Sequence, residues 1–455
     1  MKPVAFYSTN GRAPKVGIRE ALLQGQAPDR GLYLPLEFPR LDGPTLASFT
    51  GLPYSRIAFE VLRRFTAGAI DDGALRELCD DAYDFEVPLE PVMGFDGVHV
   101  MRLDRGPTAS FKDFAARLMA RLMGRFMRDA GRTLTILTAT SGDTGSAVAN
   151  AFHGVDGIRV LVLFPIDEVS SRQRKQMTTL CENVRTVAID GKFDDCQALV
   201  KRAFADGDLA AVPLSSANSI NIGRLLPQTV YYFYSAARTA APGEPVVFAV
   251  PSGNFGNMMG AVIAGRMGLP IRRLVIPVNG NDEFSVFLAS GAYRKIEPSL
   301  NCLSNAMNVG HPSNLARLVS VYHGNMDETG LIHEPPDMSA MRRDIFSSSV
   351  SDEATRQTIR SAWEKHRLLL EPHGAVAWRG FLDYLASGPT DAAPAIVLET
   401  AHPAKFPEEI EALLGFSPEV PRSLSALDDL PEDYDRLPVD YDRFKRYLVS
   451  HCGAQ

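Results

Sequence analysis

A single lysine stands where a turn-forming run gives way to a helical pattern. Residues 105–114 are Arg-Gly-Pro-Thr-Ala-Ser-Phe-Lys-Asp-Phe, which places Lys112 at the head of that pattern. Two glycine-containing segments follow, Thr-Ser-Gly-Asp-Thr-Gly at residues 140–145 and Ser-Gly-Asn-Phe-Gly-Asn at residues 252–257. A desolvated lysine amine can form a Schiff base with an aldehyde, and loops of this kind can bind an anion. Together they predict a covalently held cofactor that carries a phosphate.

The segment at residues 252–257 has the features of a phosphate-binding loop. Gly253 and Gly256 lack a Cβ atom, so the backbone can turn sharply and approach an anion closely. The helix expected to follow begins with N–H groups that have no intrahelical partner and carry partial positive charge. The alternative is a simple glycine turn between a strand and a helix.

The segment at residues 140–145 adds hydroxyl groups to the same arrangement, from Thr140, Ser141 and Thr144. It matches neither the G-x-G-x-x-G pattern nor the Walker pattern, which disfavours a dinucleotide or a nucleoside triphosphate. The alternative is that Asp143 caps the helix that follows.

A third polar run, at residues 215–224, could hold an anionic substrate through Ser219, Asn221 and Arg224. The planar guanidinium of arginine pairs with phosphate or carboxylate through two parallel hydrogen bonds. The alternative is structural, because Asn and Ser also cap helices. Pyridoxal phosphate would further need a group opposite its pyridine nitrogen, and Thr400, at the end of a late strand pattern, could supply a neutral hydroxyl there.

Alternating strand and helix patterns place these segments at the ends of strands. Such repeats indicate doubly wound parallel sheets, whose ligands lie beyond the carboxyl ends of the strands. Residues 1–85 precede the repeats, with an extended segment at 31–35 and a helical one at 55–62, and are expected to pack or cover without chemistry of their own. Apolar or alternating runs predict strands at residues 98–103, 134–139, 159–165, 184–189, 246–251, 274–278 and 395–400. Helical spacing predicts helices at residues 111–126 with a stop at Gly131, from about Asp194, at residues 225–237 and at residues 257–267.

Composition excludes several classes of function. A chain of 455 residues is too long for one core and predicts two or three domains. Its net charge of −7, without a basic stripe, disfavours nucleic acid as a partner. The 5 cysteines show no paired spacing and the histidines no H-E-x-x-H motif, so we expect reduced thiols, a cytoplasmic location and no metal. No apolar run reaches the roughly 18 residues of a membrane span, and no signal peptide is expected.

Six segments, in order along the chain, resemble the motifs of one family. They are GPTxxFKD at 106–113, TATSGDTG at 138–145, NSINxxR at 218–224, PSGNFG at 251–256, EPHxAVA at 371–377 and TAHPAKF at 400–406. The sequence is therefore similar to threonine synthases. Residues 1–85, with Gly-Leu-Tyr-Leu-Pro at 31–35, resemble the N-terminal extension of the bacterial and fungal branch of that family.

The resemblance implies a fold type II pyridoxal-phosphate enzyme, of the tryptophan synthase β kind, with two doubly wound α/β domains and an N-terminal α+β extension. The implied ranges are 1–85 for the extension, 86–212 for a smaller domain with the lysine, and 213–455 for a larger domain with the cofactor phosphate loop. The implied reaction converts O-phospho-L-homoserine and water to L-threonine and phosphate. It is a lyase reaction of threonine biosynthesis, and the branch resembled implies a monomer.

The resemblance also implies roles for single positions. Lys112 would form the Schiff base and move protons during the reaction. The substrate phosphate would lie against Thr144, Ser219 and Arg224. The remaining contacts of the cofactor would come from Asp143 near its 3-hydroxyl, from Thr400 at its pyridine nitrogen, and at its phosphate from Gly253, Asn254, Phe255, Gly256 and Asn257, the last shared with the substrate.

Three positions depart from the family pattern. Arg105 stands where bacterial members usually have His, Asn257 where Asp is frequent, and Gly374 where Ala is frequent. None of these departures removes a group with a bond-making role. Arg105 adds a cation near the lysine, which either tunes the binding of an anion or lies in solvent.

Other functions stay open at this point. A phospho-lyase of the same family would release 2-oxobutyrate with nearly the same residues, so the product alone distinguishes it. A β-replacing relative fits less well, because the Asp143 loop and the N-terminal unit do not suit it. A non-catalytic anion- or nucleotide-binding protein on a doubly wound sheet would need no Schiff base and would be colourless.

Overall fold

The computed structural model describes residues 1–389 and 393–452. Its strands, in chain order, are β1 (Phe6–Ser8), β2 (Tyr33–Pro35), β3 (Leu89–Pro91), β4 (Val98–Arg102), β5 (Leu134–Ala139), β6 (Ile158–Pro165), β7 (Val184–Asp190), β8 (Leu214–Ser215), β9 (Val246–Ala249), β10 (Ile271–Val275), β11 (Asn325–Met326), β12 (Ile332–Glu334), β13 (Ile345–Phe346), β14 (Ala395–Glu399) and β15 (Asp435–Pro438).

The helices surround these strands on both faces. In chain order they are α1 (Ile18–Gln24), α2 (Gly43–Ser48), α3 (Tyr54–Thr66), α4 (Asp72–Ala82), α5 (Lys112–Ala130), α6 (Asp143–Phe152), α7 (Ser171–Thr178), α8 (Phe193–Ala205), α9 (Ile222–Gln228), α10 (Val230–Thr239), α11 (Gly256–Arg266), α12 (Glu283–Ser290), α13 (Leu315–Val321), α14 (Met338–Asp344), α15 (Asp352–His366), α16 (Pro372–Ala386), α17 (Pro407–Leu414), α18 (Arg422–Ser425) and α19 (Tyr441–Cys452).

Two larger sheets form the centre of the molecule. One has the order β13-β10-β9-β14-β4-β3, parallel except for the antiparallel edge strand β3. The other has the order β15-β7-β6-β5-β8 and is parallel throughout. All six residues of β5 are buried, as sheets covered by helices on both faces require. The predicted doubly wound α/β architecture is confirmed.

The N-terminal segment packs onto this centre. β1 and β2 pair antiparallel, and α3 turns Ile57, Val61 and Phe65 into the core at helical spacing. The extended segment predicted at 31–35 and the helix predicted at 55–62 are both present. The segment shares one continuous apolar core with the α/β centre.

The chain passes between the two sheets more than once. β3 and β4 lie in the six-stranded sheet with β9, β10 and β14, whereas the late strand β15 completes the five-stranded sheet. The sheets therefore exchange strands across both predicted ranges, 86–212 and 213–455. The division of the chain at those residues stays a prediction.

The predicted helix at residues 225–237 is wrong in one respect, because two helices occupy the segment. α9 ends at Gln228 and α10 begins at Val230, with Thr229 between them. Pro227 lies in the last turn of α9, where it has no N–H to donate and crowds the preceding turn. At the break itself, the N–H of Thr229 donates to the carbonyl of Leu226, three residues back, at 3.1 Å.

The sheet order brings distant segments together. β9, β14 and β4 are neighbours and parallel, so their carboxyl ends meet at one edge. The lysine turn follows β4, the 252–257 segment follows β9, and Thr400 follows β14. Among the described residues, no helix is long and apolar enough to cross a membrane.

Candidate active site

The lysine turn is hydrogen-bonded to the segment after β14. The N–H of Phe111 donates to the carbonyl of Thr400 at 2.9 Å, and the N–H of His402 donates to the carbonyl of Ala109 at 3.0 Å. These bonds form a short antiparallel bridge immediately before α5. Lys112, the first residue of α5, is thereby fixed beside Thr400.

Asp113 shapes the turn from within. Its carboxylate accepts hydrogen bonds from the backbone N–H and the hydroxyl of Thr108, at 2.9 and 2.6 Å. A Cβ atom at position 106 would overlap that carboxylate, so the turn requires Gly106. Asp113 thus has a structural part in the Gly-Pro-Thr-x-x-Phe-Lys-Asp motif.

The Lys112 ammonium lies in a small buried group of charges. Its Nζ is 3.6 Å from Asp143 Oδ2 and 4.9 Å from the centre of the Phe111 ring. The other oxygen of Asp143 is 2.6 Å from Nζ of Lys405 and accepts a bond from Gln173 at 3.0 Å. Lys112 is only 8% exposed, so water screens these charges little.

Burial and the neighbouring charges shift the pKa values of both Lys112 and Asp143. Burial lowers the pKa of Lys112; the Asp143 carboxylate opposes this effect, and the cations of Lys405 and Arg224 add to it. Burial alone would raise the pKa of Asp143, but Lys405 and Lys112 hold it well below its usual range. The site therefore keeps a carboxylate in place and lowers the pKa of Lys112, which increases the share of its nucleophilic free amine.

The 140–145 loop presents Asp143 to the lysines. The hydroxyl of Thr140 accepts the N–H groups of Gly142 and Gly145, at 3.0 and 2.8 Å, and so satisfies donors at the start of α6. The alternative that Asp143 caps this helix is therefore wrong, since its two oxygens face cations and Gln173. Thr144, the next residue, is half-buried at the same helix end.

The 252–257 loop enters α11 through a left-handed residue. Phe255 has φ 62° and is the N-cap of α11. A Cβ at position 253 would lie 2.7 Å from the Cα of Met307, so only glycine fits. The Asn254 amide donates to the hydroxyl of Ser219 at 2.7 Å, which joins this loop to the 215–224 run.

Asn257 is oriented by two buried tyrosines. The hydroxyls of Tyr231 and Tyr232 donate to its side-chain oxygen at 2.5 and 2.6 Å. This leaves its side-chain NH2 pointing elsewhere, and Nδ2 has no hydrogen-bond partner in residues 1–389 and 393–452.

Arg224 is a second incompletely satisfied donor. One of its terminal nitrogens donates to the Ala217 carbonyl at 2.7 Å, and its Nε has no partner within the described part of the chain. Burial lowers its pKa to about 10, although the Asp113 carboxylate acts in the opposite direction. An anion bound to this guanidinium would offset the free energy that its charge loses through burial away from water.

Comparison with known proteins agrees with this geometry. Three family models match the chain: "Threonine synthase N terminus" at residues 5–83, "Pyridoxal-phosphate dependent enzyme" at 87–398, and "Threonine synthase, C-terminal" at 374–448. The threonine synthase of Haemophilus influenzae is 38% identical over 447 residues, which cover 98% of this chain and 99% of that protein. The chain belongs to the threonine synthase family.

Solved structures of the threonine synthase family have the same fold. The threonine synthase of Brucella melitensis, in its pyridoxal-phosphate-bound form, superposes with a TM-score of 0.92 at 37% identity, covering 99% of this chain and 100% of that one. The yeast threonine synthase superposes with a TM-score of 0.89 at 31% identity, covering 98% of both chains. The fold type II architecture with an N-terminal extension is confirmed.

The residues of the site fit the pyridoxal phosphate on which this family depends. A buried donor without a partner costs free energy, and both Nδ2 of Asn257 and Nε of Arg224 are of this kind among the described residues. The first N–H groups of α11 add further donors at the same loop. The roles given above to single residues stay predictions.

Asn221 differs from Ser219 and Arg224, with which it was predicted to bind the substrate, because its hydrogen bonds are all made within the protein. Its side-chain NH2 donates to the carbonyls of Leu22 and Ser216, at 2.8 and 2.9 Å, and its oxygen accepts the N–H of Gly223 at 2.9 Å. Both amide hydrogens are used, so Asn221 caps α9 and holds the N-terminal segment. The structural alternative is the one that the geometry supports for this residue.

Arg105 lies at the edge of the site. Its guanidinium is 3.7 Å from the Asp104 carboxylate and 3.8 Å from that of Glu90, with 40% of its side chain exposed. The cation is thus shared between carboxylates and solvent.

The sequence interpretation assigned no role to Lys405, Gln173 or Arg317. Lys405 lies in the Thr-Ala-His-Pro-Ala-Lys-Phe motif, which was the available signal. Arg317 has no such signal: it is fully buried and donates to the carbonyls of Tyr33 and Ser219, at 3.0 and 3.1 Å. It joins the N-terminal segment to the predicted substrate run.

Proposed function

We infer that this protein is a pyridoxal-phosphate-dependent lyase that converts O-phospho-L-homoserine and water to L-threonine and phosphate. The observation that carries the inference is the buried Lys112, placed where the carboxyl ends of β4, β9 and β14 meet and bonded through its turn to Thr400. A protein that only binds anions has no use for a buried lysine whose charge is opposed by burial and by neighbouring cations. The substrate is a small molecule, and no nucleic acid is involved.

The geometry of the two glycine-rich loops supports the cofactor contacts that we propose. Lys112 would hold pyridoxal phosphate covalently through Nζ, and residues 253–257 with the first N–H groups of α11 would hold its phosphate. Thr400 would offer a neutral hydroxyl to the pyridine nitrogen, and Asp143 would lie by the 3-hydroxyl. When bound, pyridoxal phosphate supplies an electron sink for the charge that develops on the substrate.

The substrate phosphate occupies the second anion site. Arg224 pairs with it through a guanidinium whose Nε is free among the described residues, and the hydroxyls of Thr144 and Ser219 donate to it. The pKa of Arg224 rises when this phosphate arrives, because an opposite charge at contact distance favours the charged form.

Proton movement falls to Lys112. Its Nζ accepts the proton from the α carbon of the substrate, and burial and nearby cations assist this role because they lower the pKa of the amine. Lys112 next moves the β proton to the γ carbon, which becomes the methyl group once the γ phosphate has departed into the Arg224 site. The hydroxyl of water adds at the β carbon, the other proton of that water leaves with the phosphate, and the first proton is returned to the α carbon. Asp143 keeps the lysine amine oriented through all of these steps.

Substitution of Lys112 tests the proposal. Purified Lys112→Ala is expected to lack the visible absorbance that borohydride removes from the wild type, and to release no phosphate from O-phospho-L-homoserine. Lys365→Ala, which changes an exposed lysine on α15, is the matched control and should retain both. Chromatography of the wild-type product decides between the two family activities: threonine supports the proposal, and 2-oxobutyrate alone contradicts it.

We further propose that the protein is a monomer of the cytoplasm. Its five cysteines are all free thiols, and three of them, Cys79, Cys196 and Cys452, are buried. Light scattering of the purified chain tests the oligomeric state, and a mass near twice 49.7 kDa would contradict it.

A further inference from the structure

Glu399, the last residue of β14, is a buried acid for which the reaction has no evident use. It is 0% exposed and directly precedes Thr400. Its Oε1 accepts the backbone N–H of Glu371 at 2.9 Å, and its Oε2 has no hydrogen-bond partner among the residues that the structure describes. The carboxyl thus joins the end of β14 to the start of α16.

The space for this carboxyl exists because position 374 is glycine. A Cβ atom at position 374 would overlap Glu399 Oε2. Gly374 is in the first turn of α16 and has no positive φ, so an alanine there would be acceptable to the backbone and excluded only by the carboxyl. Position 374 is also where the chain departs from the family pattern.

The charges around Glu399 favour its neutral form. Arg102, its register partner in β4, is hydrogen-bonded to Asp104 and to the carbonyl of Leu369. Glu371 accepts bonds from the backbone N–H groups of His373 and Gly374 and from the His373 ring, as a carboxylate does. Within the part of the chain that the structure describes, Glu399 has one donor, the N–H of Glu371. The charged and titratable groups at this place are Arg102 and Asp104 from the end of β4, Glu371 and His373 from the start of α16, and His402 after β14.

Burial raises the pKa of Glu399 well above its usual range, and the Glu371 carboxylate raises it further, while Arg102 opposes the effect. The same direction follows from the hydrogen bonds, since the proton is best placed on the carboxyl with the fewest donors.

We propose that Glu399 is a neutral carboxylic acid that takes the place of a side chain at position 374 and positions the strand end carrying Thr400 without adding negative charge beside the ring of the cofactor. The positioning reaches further through Glu371, because His373 accepts the N–H of Ala306 at 3.1 Å, and the backbone at 306–307 confines Gly253. Glu399 thus acts on both ends of the cofactor site through other residues. The inference rests on the proposed function, because it assigns the ring to Thr400.

A double-mutant cycle on the holoenzyme tests whether the Glu399 carboxyl occupies the space of a side chain at position 374. Gly374→Ala alone should lower the melting temperature, because its methyl group meets the carboxyl. In the Glu399→Ala background the same Gly374→Ala change should be neutral or raise it, because the methyl group then fills a cavity. An equal loss in both backgrounds would overturn the proposal.

The neutral form is tested with Glu399→Gln. An acid with a raised pKa keeps its proton in the folded protein while the unfolded chain loses it, so the wild type loses stability as pH rises above the ordinary pKa of glutamate. The melting temperature of Glu399→Gln should therefore exceed that of the wild type by a margin that grows as pH rises above the ordinary pKa of glutamate. A margin that is constant, or negative at the higher pH, contradicts a neutral Glu399.

The positioning role is tested by the visible spectrum of the bound cofactor. As Glu399 ionises at high pH, the wild-type spectrum should show a step that Glu399→Gln lacks, in addition to the changes common to both proteins. A purely structural Glu399 would give the same spectral titration in both, which would overturn the proposed role. Absence of visible absorbance from every variant, the wild type included, would instead refute the proposed function and leave the results on melting temperature standing.

Discussion

The loops at residues 140–145 and 252–257 both lead from the end of a buried parallel strand into a helix, and both consist of glycine and small polar residues with one exception each. In the first loop the exception is Asp143, whose carboxylate lies between two ammonium groups. In the second it is Phe255, a left-handed residue that packs on Phe284 with ring centres 4.8 Å apart.

The two loops differ in the charge that their side chains bring to the start of the helix. The first brings a negative charge to the helix start and uses it to hold Lys112 and Lys405. The second contains no charged side chain, so its helix start stays free for an anion, and Asn257 is oriented by neutral hydroxyls. Similar glycine-rich sequences therefore do not predict the same ligand. In the proposed function, the loop without a charged side chain receives the cofactor phosphate, whereas the first loop contributes the Thr144 hydroxyl to the substrate phosphate.

The largest effect should come from removing the charge of the first loop. Asp143→Ala leaves two buried ammonium groups without their carboxylate, which is expected to lower the unfolding free energy of the cofactor-free protein by about 3–5 kcal/mol. Asn257→Ala, in the second loop, removes only a neutral acceptor and should cost about 1–3 kcal/mol. Urea unfolding measures both, with the exposed Asp156→Ala as the control.

The pH dependence of this difference has a definite sign. The pKa of Asp143 is lowered in the folded protein, so its stabilising contribution is present above the ordinary pKa of aspartate and is lost as pH falls below it. The gap between wild type and Asp143→Ala should thus be full at neutral pH and narrow in acid. If the two loop variants cost the same at neutral pH, the electrostatic difference between the loops is refuted.

A smaller effect should come from crowding the second loop. In Gly253→Ala the new methyl group would lie 2.7 Å from the Cα of Met307 and 3.0 Å from the carbonyl oxygen of Ala306, both backbone atoms that cannot rotate away. The resulting shift of the loop is expected to cost about 1–3 kcal/mol, which appears as weaker binding of pyridoxal phosphate by about fivefold to 150-fold. Equilibrium dialysis measures this affinity.

Gly207→Ala is the matched control for crowding, because a Cβ there meets no atom of residues 1–389 or 393–452 within 4 Å, and the residue has no positive φ. It should bind the cofactor as the wild type does. Unchanged affinity in Gly253→Ala would show that the second loop does not hold the phosphate.

Local patterns predicted the parts of the site that are local. Lys112, both glycine-rich loops and Thr400 each lie at a strand-to-helix junction or a strand end, where periodicity and residue type carry the information. The bond between Thr140 and the start of α6 is equally short in range, yet Asp143 was the more obvious cap by residue type. Its real partners come from other elements.

What the sequence did not reveal depends on contacts between distant segments. Lys405 reaches Asp143 only because the segment after β14 returns to the lysine turn, and Gly374 meets Glu399 only because α16 packs over β14. The sequence pattern predicted that Asn221 binds the substrate. In the structure its side-chain amide donates to the carbonyl of Leu22 in the N-terminal segment, a contact that no local pattern indicates. Periodicity indicates which face of an element is buried, but not which other element covers it.

The number of cations around Asp143 can be changed while its carboxylate is kept. Lys405→Met removes one of the two ammonium groups that share Asp143, and it leaves the carboxylate to Lys112 alone. Loss of a neighbouring cation and a stronger pairing both favour the charged form of Lys112, so its pKa should rise. The cofactor-free variant should therefore form its Schiff base with added pyridoxal phosphate more slowly at neutral pH, because less of the amine is free. The rise of visible absorbance, followed across a pH series, gives the midpoint of this reaction.

The midpoint should move to higher pH in Lys405→Met and stay in place in Lys201→Met, which changes an exposed lysine on α8. A midpoint that is unchanged or moves to lower pH would mean that Lys405 does not contribute to the protonation of Lys112, and the first loop would then need only one cation.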